Sequence, residues 1–110
     1  MKIGCDIVEI ARVQQALERT KGFPNFLTDA EQVLFQTMKG YRRAEWLAGR
    51  FAAKEAVIKA MHGIQNLTLL DVEVLKDEAG APLCSIPGVN VSIAHERAYA
   101  IAFAIVQKCA

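Results

Sequence analysis

The sequence is short of every feature that marks an exported or membrane-borne protein. Its three cysteines, Cys5, Cys84 and Cys109, are odd in number and far apart. That spacing suits neither a disulfide framework nor a zinc cluster and fits a reducing, cytoplasmic setting. No apolar run approaches the ~20 residues that cross a bilayer, so no membrane segment is expected. The opening MKIGCDIVEI has neither the cationic start nor the unbroken apolar stretch of a signal peptide. Charge of one sign is missing too. The net charge of +1 by itself says nothing about nucleic acid, whose binding needs a clustered basic surface; no nucleic-acid partner is expected. There is no internal repeat, low-complexity tract or linker. What remains is 110 residues, 53% of them hydrophobic and 23% charged, enough for a single domain (1–110) with one core.

The chain divides into a helical first half and a β-rich second half. Residues 2–8 set Ile3, Cys5 and Ile7 against Gly4, Asp6 and Val8, the pattern of a short strand with two distinct faces. From Glu9 the spacing of Ile10, Val13 and Leu17 is helical, and Gly22 and Pro24 close that helix. Thr28 followed by Glu31 has the form of a capping box for a second helix through about Met38. Further on, Leu70, Val72 and Val74 alternate with Asp71, Glu73 and Leu75 as in a strand. DEAG at 77–80 is a turn, with a short strand from about Pro82 to Ile86. VNVSIA (89–94), the connection 95–97 and AYAIAFAIV (98–106) form a predicted hairpin. Its last strand carries Tyr99, Ile101, Phe103 and Ile105 on one face and Ala98, Ala100, Ala102 and Ala104 on the other.

A third helix, from near Tyr41 to no later than Gly63, contains the least ordinary stretch, WLAGRFAAKEAVIKAM (46–61). Trp46, Leu47, Phe51, Val57, Ile58 and Met61 share a broad apolar sector, and Arg50 and Lys54 point into its middle. Gly49, Ala52, Ala53, Ala56 and Ala60 make a second face almost without side chains, a natural counterpart for the strand of bare methyls. Glu55 and Lys59 lie on the border between the two. This predicts an α+β fold, an antiparallel sheet packed around a central helix.

Single residues here have ordinary readings beside the chemical ones. Asp6 sits between Cys5 and Ile7, and strand alternation alone can turn it to water. Glu55 and Lys59 have the spacing of a favourable i,i+4 ion pair, worth ~0.3–0.5 kcal/mol. His95 at a hairpin connection suits a surface turn. The basic groups Arg12, Arg19 and Lys21, and Arg42 with Arg43, suit solvated helix faces. Taken together, two carboxylates (Asp6 and Glu55) match the needs of Mg²⁺, which takes one or two and completes its shell with water and phosphate oxygens. Arg50, Lys54, Lys59 and His95 add donors and positive charge of the kind that hold a pyrophosphate.

GCDIVEIARV (4–13) and GRFAAKEAVIKA (49–60) resemble the two signature motifs of the 4'-phosphopantetheinyl transferases, in their short bacterial type. Gly4, Asp6, Ile7, Ile10 and Arg12 match the first; Arg50, Lys54, Glu55, Ala56, Lys59 and Ala60 match the second. VSIAHERAYAIA places His95 at the family's histidine, and Gly80 and Pro82 match its Gly-x-Pro turn. The likeness runs in order over nearly the whole chain. It departs at Ala94, where relatives carry Ser or Thr, and at HGIQN (62–66), where they are Gly-rich.

The resemblance implies the phosphopantetheinyl transferase fold and transfer of 4'-phosphopantetheine from coenzyme A to a serine of an apo-acyl carrier protein. Adenosine 3',5'-bisphosphate would be released. It implies Mg²⁺ on Asp6 and Glu55, with Asp6, Glu55, Lys59 and His95 catalytic and Arg50, Lys54, Lys59 and His95 on the coenzyme. The serine's base is Glu55 or a water that it orients. Arg12, Arg19 and Lys21 would dock the acidic carrier, and the chain would form a homotrimer with the coenzyme pocket between subunits. Two rival readings are another Mg²⁺-dependent phosphoryl or nucleotidyl transferase and a non-catalytic carrier-binding module of the same fold.

Overall fold

The computed structural model describes residues 1–107, so Cys109 lies outside the described residues. Strand β1 (Lys2–Glu9) leads directly into helix α1 (Ile10–Arg19), with the Ile10 N–H bonded to the Ala98 carbonyl at 2.8 Å. Helix α2 (Asp29–Gln36) begins at the expected capping box: the Thr28 hydroxyl accepts from Glu31 N–H and the Glu31 carboxylate accepts from Thr28 N–H. Helix α3 covers Tyr41–Ala60. The second half gives β2 (Val74–Lys76), β3 (Pro82–Cys84), β4 (Val89–His95) and β5 (Tyr99–Val106). No helix is long and apolar enough to cross a membrane among the described residues.

All strand pairings are antiparallel. β1, β5 and β4 form a three-stranded sheet in that order, and β2 and β3 pair separately. The long strand read from Leu70 onward is the clearest departure. Leu69–Asp71 is instead a turn of 3₁₀ helix, and β2 begins only at Val74. Thr68 and Asp71 close a capping box of their own there, with Asp71 accepting from the Thr68 N–H at 2.7 Å and its hydroxyl at 2.9 Å. A local side-chain bond to the backbone thus outcompetes the strand ladder. Those bonds also lower the Asp71 pKa, the backbone one most.

The smooth faces meet as their composition requires. Ala102 and Ala104 of β5 pack with Ala52, Ala53, Ala56 and Ala60 of α3, and all six are buried. Ala100 is equally buried, whereas Ala98 precedes β5 and is exposed. Gly4 allows the same closeness on β1: a Cβ there would stand 2.1 Å from the Ala56 carbonyl oxygen and 2.8 Å from Ala60 N. Only a residue without a side chain lets α3 lie this low. A second apolar cluster joins α1, Phe26, Leu27 and Phe35 to the first half of α3.

Helix α3 therefore crosses the sheet obliquely. Its last turns lie over Gly4 of β1, while Gly49, a dozen residues earlier, comes against Ile93 of β4. β1 and β4 are the two edges of the three-stranded sheet. The functional side chains are distributed by that crossing.

Candidate active site

At the β1 edge, Asp6 is on the face shared with Gly4 and Val8, toward α3 and not toward open water. Lys59 meets it there. Its ammonium lies 3.1 Å from Asp6 Oδ1 and donates to the Cys5 carbonyl at 3.0 Å. The i,i+4 partner that the sequence offers, Glu55, is not the one Lys59 takes: the cross-element pair wins because the close packing at Gly4 brings β1 within reach. The Lys59 pKa is raised, first by the hydrogen bond it donates to Asp6 and then by the negative charge of Asp6, with a smaller pull from Glu55. Among the described residues the Glu55 carboxylate has no hydrogen-bond partner, although its residue is partly buried.

These side chains fit a hard divalent cation. Asp6 is bonded to Lys59 and keeps Oδ2 free, Glu55 is near enough to the same ammonium to act on its pKa, and no group of three or more His, Cys, Asp or Glu forms among the described residues. Such a donor set leaves most of an octahedron to water and phosphate, the preference of Mg²⁺.

The β4 edge holds a second group. His95 is the last residue of β4, not part of the turn, so the pleat aims it at α3 beside Ile93. There its Nδ1 lies 3.5 Å from Glu45 Oε2, and Glu45 Oε1 lies 3.7 Å from Arg42 Nη1. With Trp46, Arg50, Gly80 and Pro82 they line a cavity of about 190 Å³. Arg50 forms its floor, only 8% exposed, donating to the carbonyls of Val74 (3.0 Å) and Leu75 (3.4 Å) with its guanidinium over the Trp46 ring. Burial lowers its pKa below the ordinary guanidinium value; Glu31 opposes the shift and Arg42 adds to it. The β2–β3 turn supplies the wall at Gly80 and Pro82, which the Gly-x-Pro likeness had singled out. Glu45, Arg42 and Trp46 were not among the expected site residues.

Lys54 requires a correction. It was expected on the coenzyme, yet its side chain is fully buried and bonded to Glu31 Oε1 (2.7 Å), the Phe26 carbonyl (2.6 Å) and the Leu69 carbonyl (3.0 Å). All three N–H groups are taken, so none is free for a phosphate. Glu31 is saturated in turn, accepting also from Thr28 and Val74 N–H. This is a structural knot joining α2, α3 and the chain before β2.

Arg12, Arg19 and Lys21 are all exposed, and among the described residues none is in an ion pair. Arg12 rims an open apolar cavity of about 260 Å³ lined by Val13, Ala16, Phe23, Phe26 and Phe51.

An oblique helix over an antiparallel sheet, with a carboxylate pair at one edge and a cationic cavity at the other, defines a class. The family model of the 4'-phosphopantetheinyl transferase superfamily matches residues 2–104. The chain belongs to that superfamily, and so to a family of transferases. Its relatives include the holo-(acyl-carrier-protein) synthases of Geobacillus kaustophilus, 42% identical over 96% of this chain and 88% of the relative, and of Halalkalibacterium halodurans, 43% identical over 96% and 93%. Among solved structures it is similar to the Bacillus anthracis holo-(acyl-carrier-protein) synthase in complex with CoA (3',5'-ADP), with a TM-score of 0.82 and 35% identity over 94% of this chain and 92% of that one. The Helicobacter pylori synthase in complex with coenzyme A gives a TM-score of 0.79 and 32% identity over 96% and 99%.

Proposed function

We propose that this protein transfers 4'-phosphopantetheine from coenzyme A to a serine of an apo-acyl carrier protein, with Mg²⁺, releasing adenosine 3',5'-bisphosphate. The observation that supports the reading is the Asp6–Lys59 pair at the β1 edge, with Glu55 acting on the same ammonium, on the motif positions of a family with solved members in complex with coenzyme A.

Asp6 and Glu55 would hold the ion, which supplies charge neutralisation on the coenzyme's pyrophosphate. The serine oxygen attacks the β-phosphorus, a new O–P bond forms, and the bond to the adenosine-bearing phosphate breaks with its electron pair on the leaving oxygen. Lys59 places a permanent positive charge at that oxygen. The serine proton passes to Glu55, directly or through a water that Glu55 orients. His95 and Arg50, at the β4 edge, serve a further phosphate of the coenzyme.

The two groups are far apart within one copy. Glu45 and Lys59 are separated by about 21 Å of helix at ~1.5 Å per residue. Two copies set β1 edge to β4 edge would bring them together. The sheet face away from α3 supports such assembly: Ile3 (70% exposed), Ile7 (61%), Tyr99, Phe103 (51%) and Ile105 stand open on it. A contiguous apolar face of this kind marks an interface, and a homotrimer is our reading of it. Sedimentation at working concentrations checks this; an active monomer contradicts it. Arg12 on the rim of an apolar cavity, with Arg19 and Lys21 also exposed, suits an acidic carrier with an apolar anchor. A cytoplasmic location agrees with the free thiols of Cys5 and Cys84.

The test mixes protein, coenzyme A, Mg²⁺ and apo-carrier and takes the intact mass of the carrier. One phosphopantetheine per carrier, one bisphosphate released, and loss of both with chelator are expected. A carrier that binds but never gains mass would favour a non-catalytic binding module.

A further inference from the structure

A carboxylate among the cations of a phosphate site needs a reason. Glu45 is 3.7 Å from Arg42 and 3.5 Å from His95. Both distances exceed the ~2.7–2.9 Å of a charge-assisted hydrogen bond, which the buried Glu31–Lys54 pair reaches at 2.7 Å. Glu45 thus stands beside both donors, the Arg42 guanidinium and the His95 ring, without being locked to either. The cavity lining adds no other anion: α3 presents Arg42 and Arg50, β4 presents His95, and Gly80 with Pro82 at the start of β3 are uncharged; the buried Glu31 that acts on Arg50 is held by Lys54. The cavity of about 190 Å³ in front of it has room for several waters at ~30 Å³ each, or for one phosphate group.

We propose that Glu45 is the built-in counter-ion of this cavity, occupying Arg42 and His95 in the free protein and giving them up to a phosphate of the coenzyme. This rests on the proposed function and deepens it. Coenzyme A carries a pyrophosphate and a terminal phosphate on its ribose. With the pyrophosphate assigned to the β1-edge group, the terminal phosphate is left for the β4 edge. A dianionic phosphate offers Arg42 and the His95 ring more charge and more acceptors than one carboxylate, so it displaces Glu45. The released bisphosphate carries the same terminal phosphate. A carboxylate poised to retake both donors limits how tightly that product is held, and product release sets the rate of many enzymes.

The experiment measures dissociation constants for coenzyme A, 3'-dephospho-coenzyme A and adenosine 3',5'-bisphosphate by calorimetry, with the wild type and Glu45→Gln. Removing a competing charge at a partly exposed site should tighten coenzyme A and the bisphosphate about three- to fivefold. Dephospho-coenzyme A should bind the two proteins alike. Weaker coenzyme A binding in Glu45→Gln would overturn the proposal and make Glu45 a positioning residue for His95. Equal tightening of all three ligands, or none, would also overturn it. A wild type that binds coenzyme A no better than its dephospho form would remove the phosphate assignment of the cavity, and this inference with it. A wild type that binds all three but modifies no carrier would refute the transfer reaction alone.

Discussion

Lys54 and Lys59 are five residues apart on one helix, and the same ammonium group has opposite roles in the two places. Lys54 is wholly buried, with each N–H matched to an acceptor among Glu31, Phe26 and Leu69. Lys59 is half in solvent, bonded to Cys5 and Asp6, with a third N–H left over. The difference is set by what α3 covers. Its middle is roofed by α2 and the chain before β2, while its last turn runs out over an edge strand with nothing beyond. A buried charge must be fully paired to be tolerated, whereas an exposed, under-coordinated one remains available to a substrate. The motif's two lysines divide in this way between holding the helix and standing available at the sheet edge.

The largest test of that division is Lys54→Met. It would leave Glu31 charged in a dry site, and breaking one partner of a buried pair costs about 3–5 kcal/mol. Chemical denaturation should report a loss of that order. Glu31→Gln combined with Lys54→Met should recover part of it, since no charge is then stranded. A Lys54→Met protein as stable as the wild type would break the comparison at its root.

Lys59→Met should do the reverse. Loss of one preorganised charge at a leaving group lowers turnover by about 10²-fold, with the thermal midpoint close to that of the wild type. Replacing Asp6 by Asn or Glu55 by Gln should lower turnover comparably and raise the Mg²⁺ requirement. Near-normal turnover at limiting Mg²⁺ in either variant would remove it from the metal site.

Gly4→Ala sharpens the comparison by acting on one lysine and not the other. The added methyl meets the backbone of Ala56 and Ala60, which cannot rotate away. Overpacking of this kind costs about 1–3 kcal/mol, and it would lift the end of α3 that carries Lys59. Hydrogen exchange should quicken in the last turns of α3 and stay slow around Lys54, Phe26 and Val74. Uniform loss of protection would mean that the two ends of the helix are not independent.

How far the sequence reveals this depends on the range of the forces involved. The capping box at Thr28, the alanine strand and the glycine-alanine helix face are local patterns, and each corresponds to a structural element. The strand expected from Leu70 fails because alternation cannot see Asp71 bending back to Thr68. Lys54 was assigned to the coenzyme because its motif contains phosphate-binding positions. Its true partner, Glu31, is twenty-three residues away and was already explained as a cap. Glu45 shows the same limit: within α3 only an ordinary i,i+3 pairing with Arg42 marks it, and the contact with the end of β4 is not visible in the local sequence. Asp6 gave the opposite outcome. Its anomaly within an apolar strand was legible, and the inner face it occupies is the costly one of the two readings.

The smallest effect expected is on stability against pH, and its sign follows from Lys59. Its pKa is raised above the ordinary 10.5 by the bond to Asp6. A cation with a raised folded pKa contributes stability fully below the unfolded value and loses it as pH climbs through the folded one. The thermal midpoint of the wild type should therefore stand a constant, small interval above that of Lys59→Met from neutral pH up to the ordinary 10.5. The interval should close only at higher pH. Being solvent-exposed, the pair should also lose much of this interval in high salt. An interval that changes between neutral and mildly alkaline pH would mean that another group controls the β1 edge, and Lys59 would no longer be the permanent charge the transfer reaction needs.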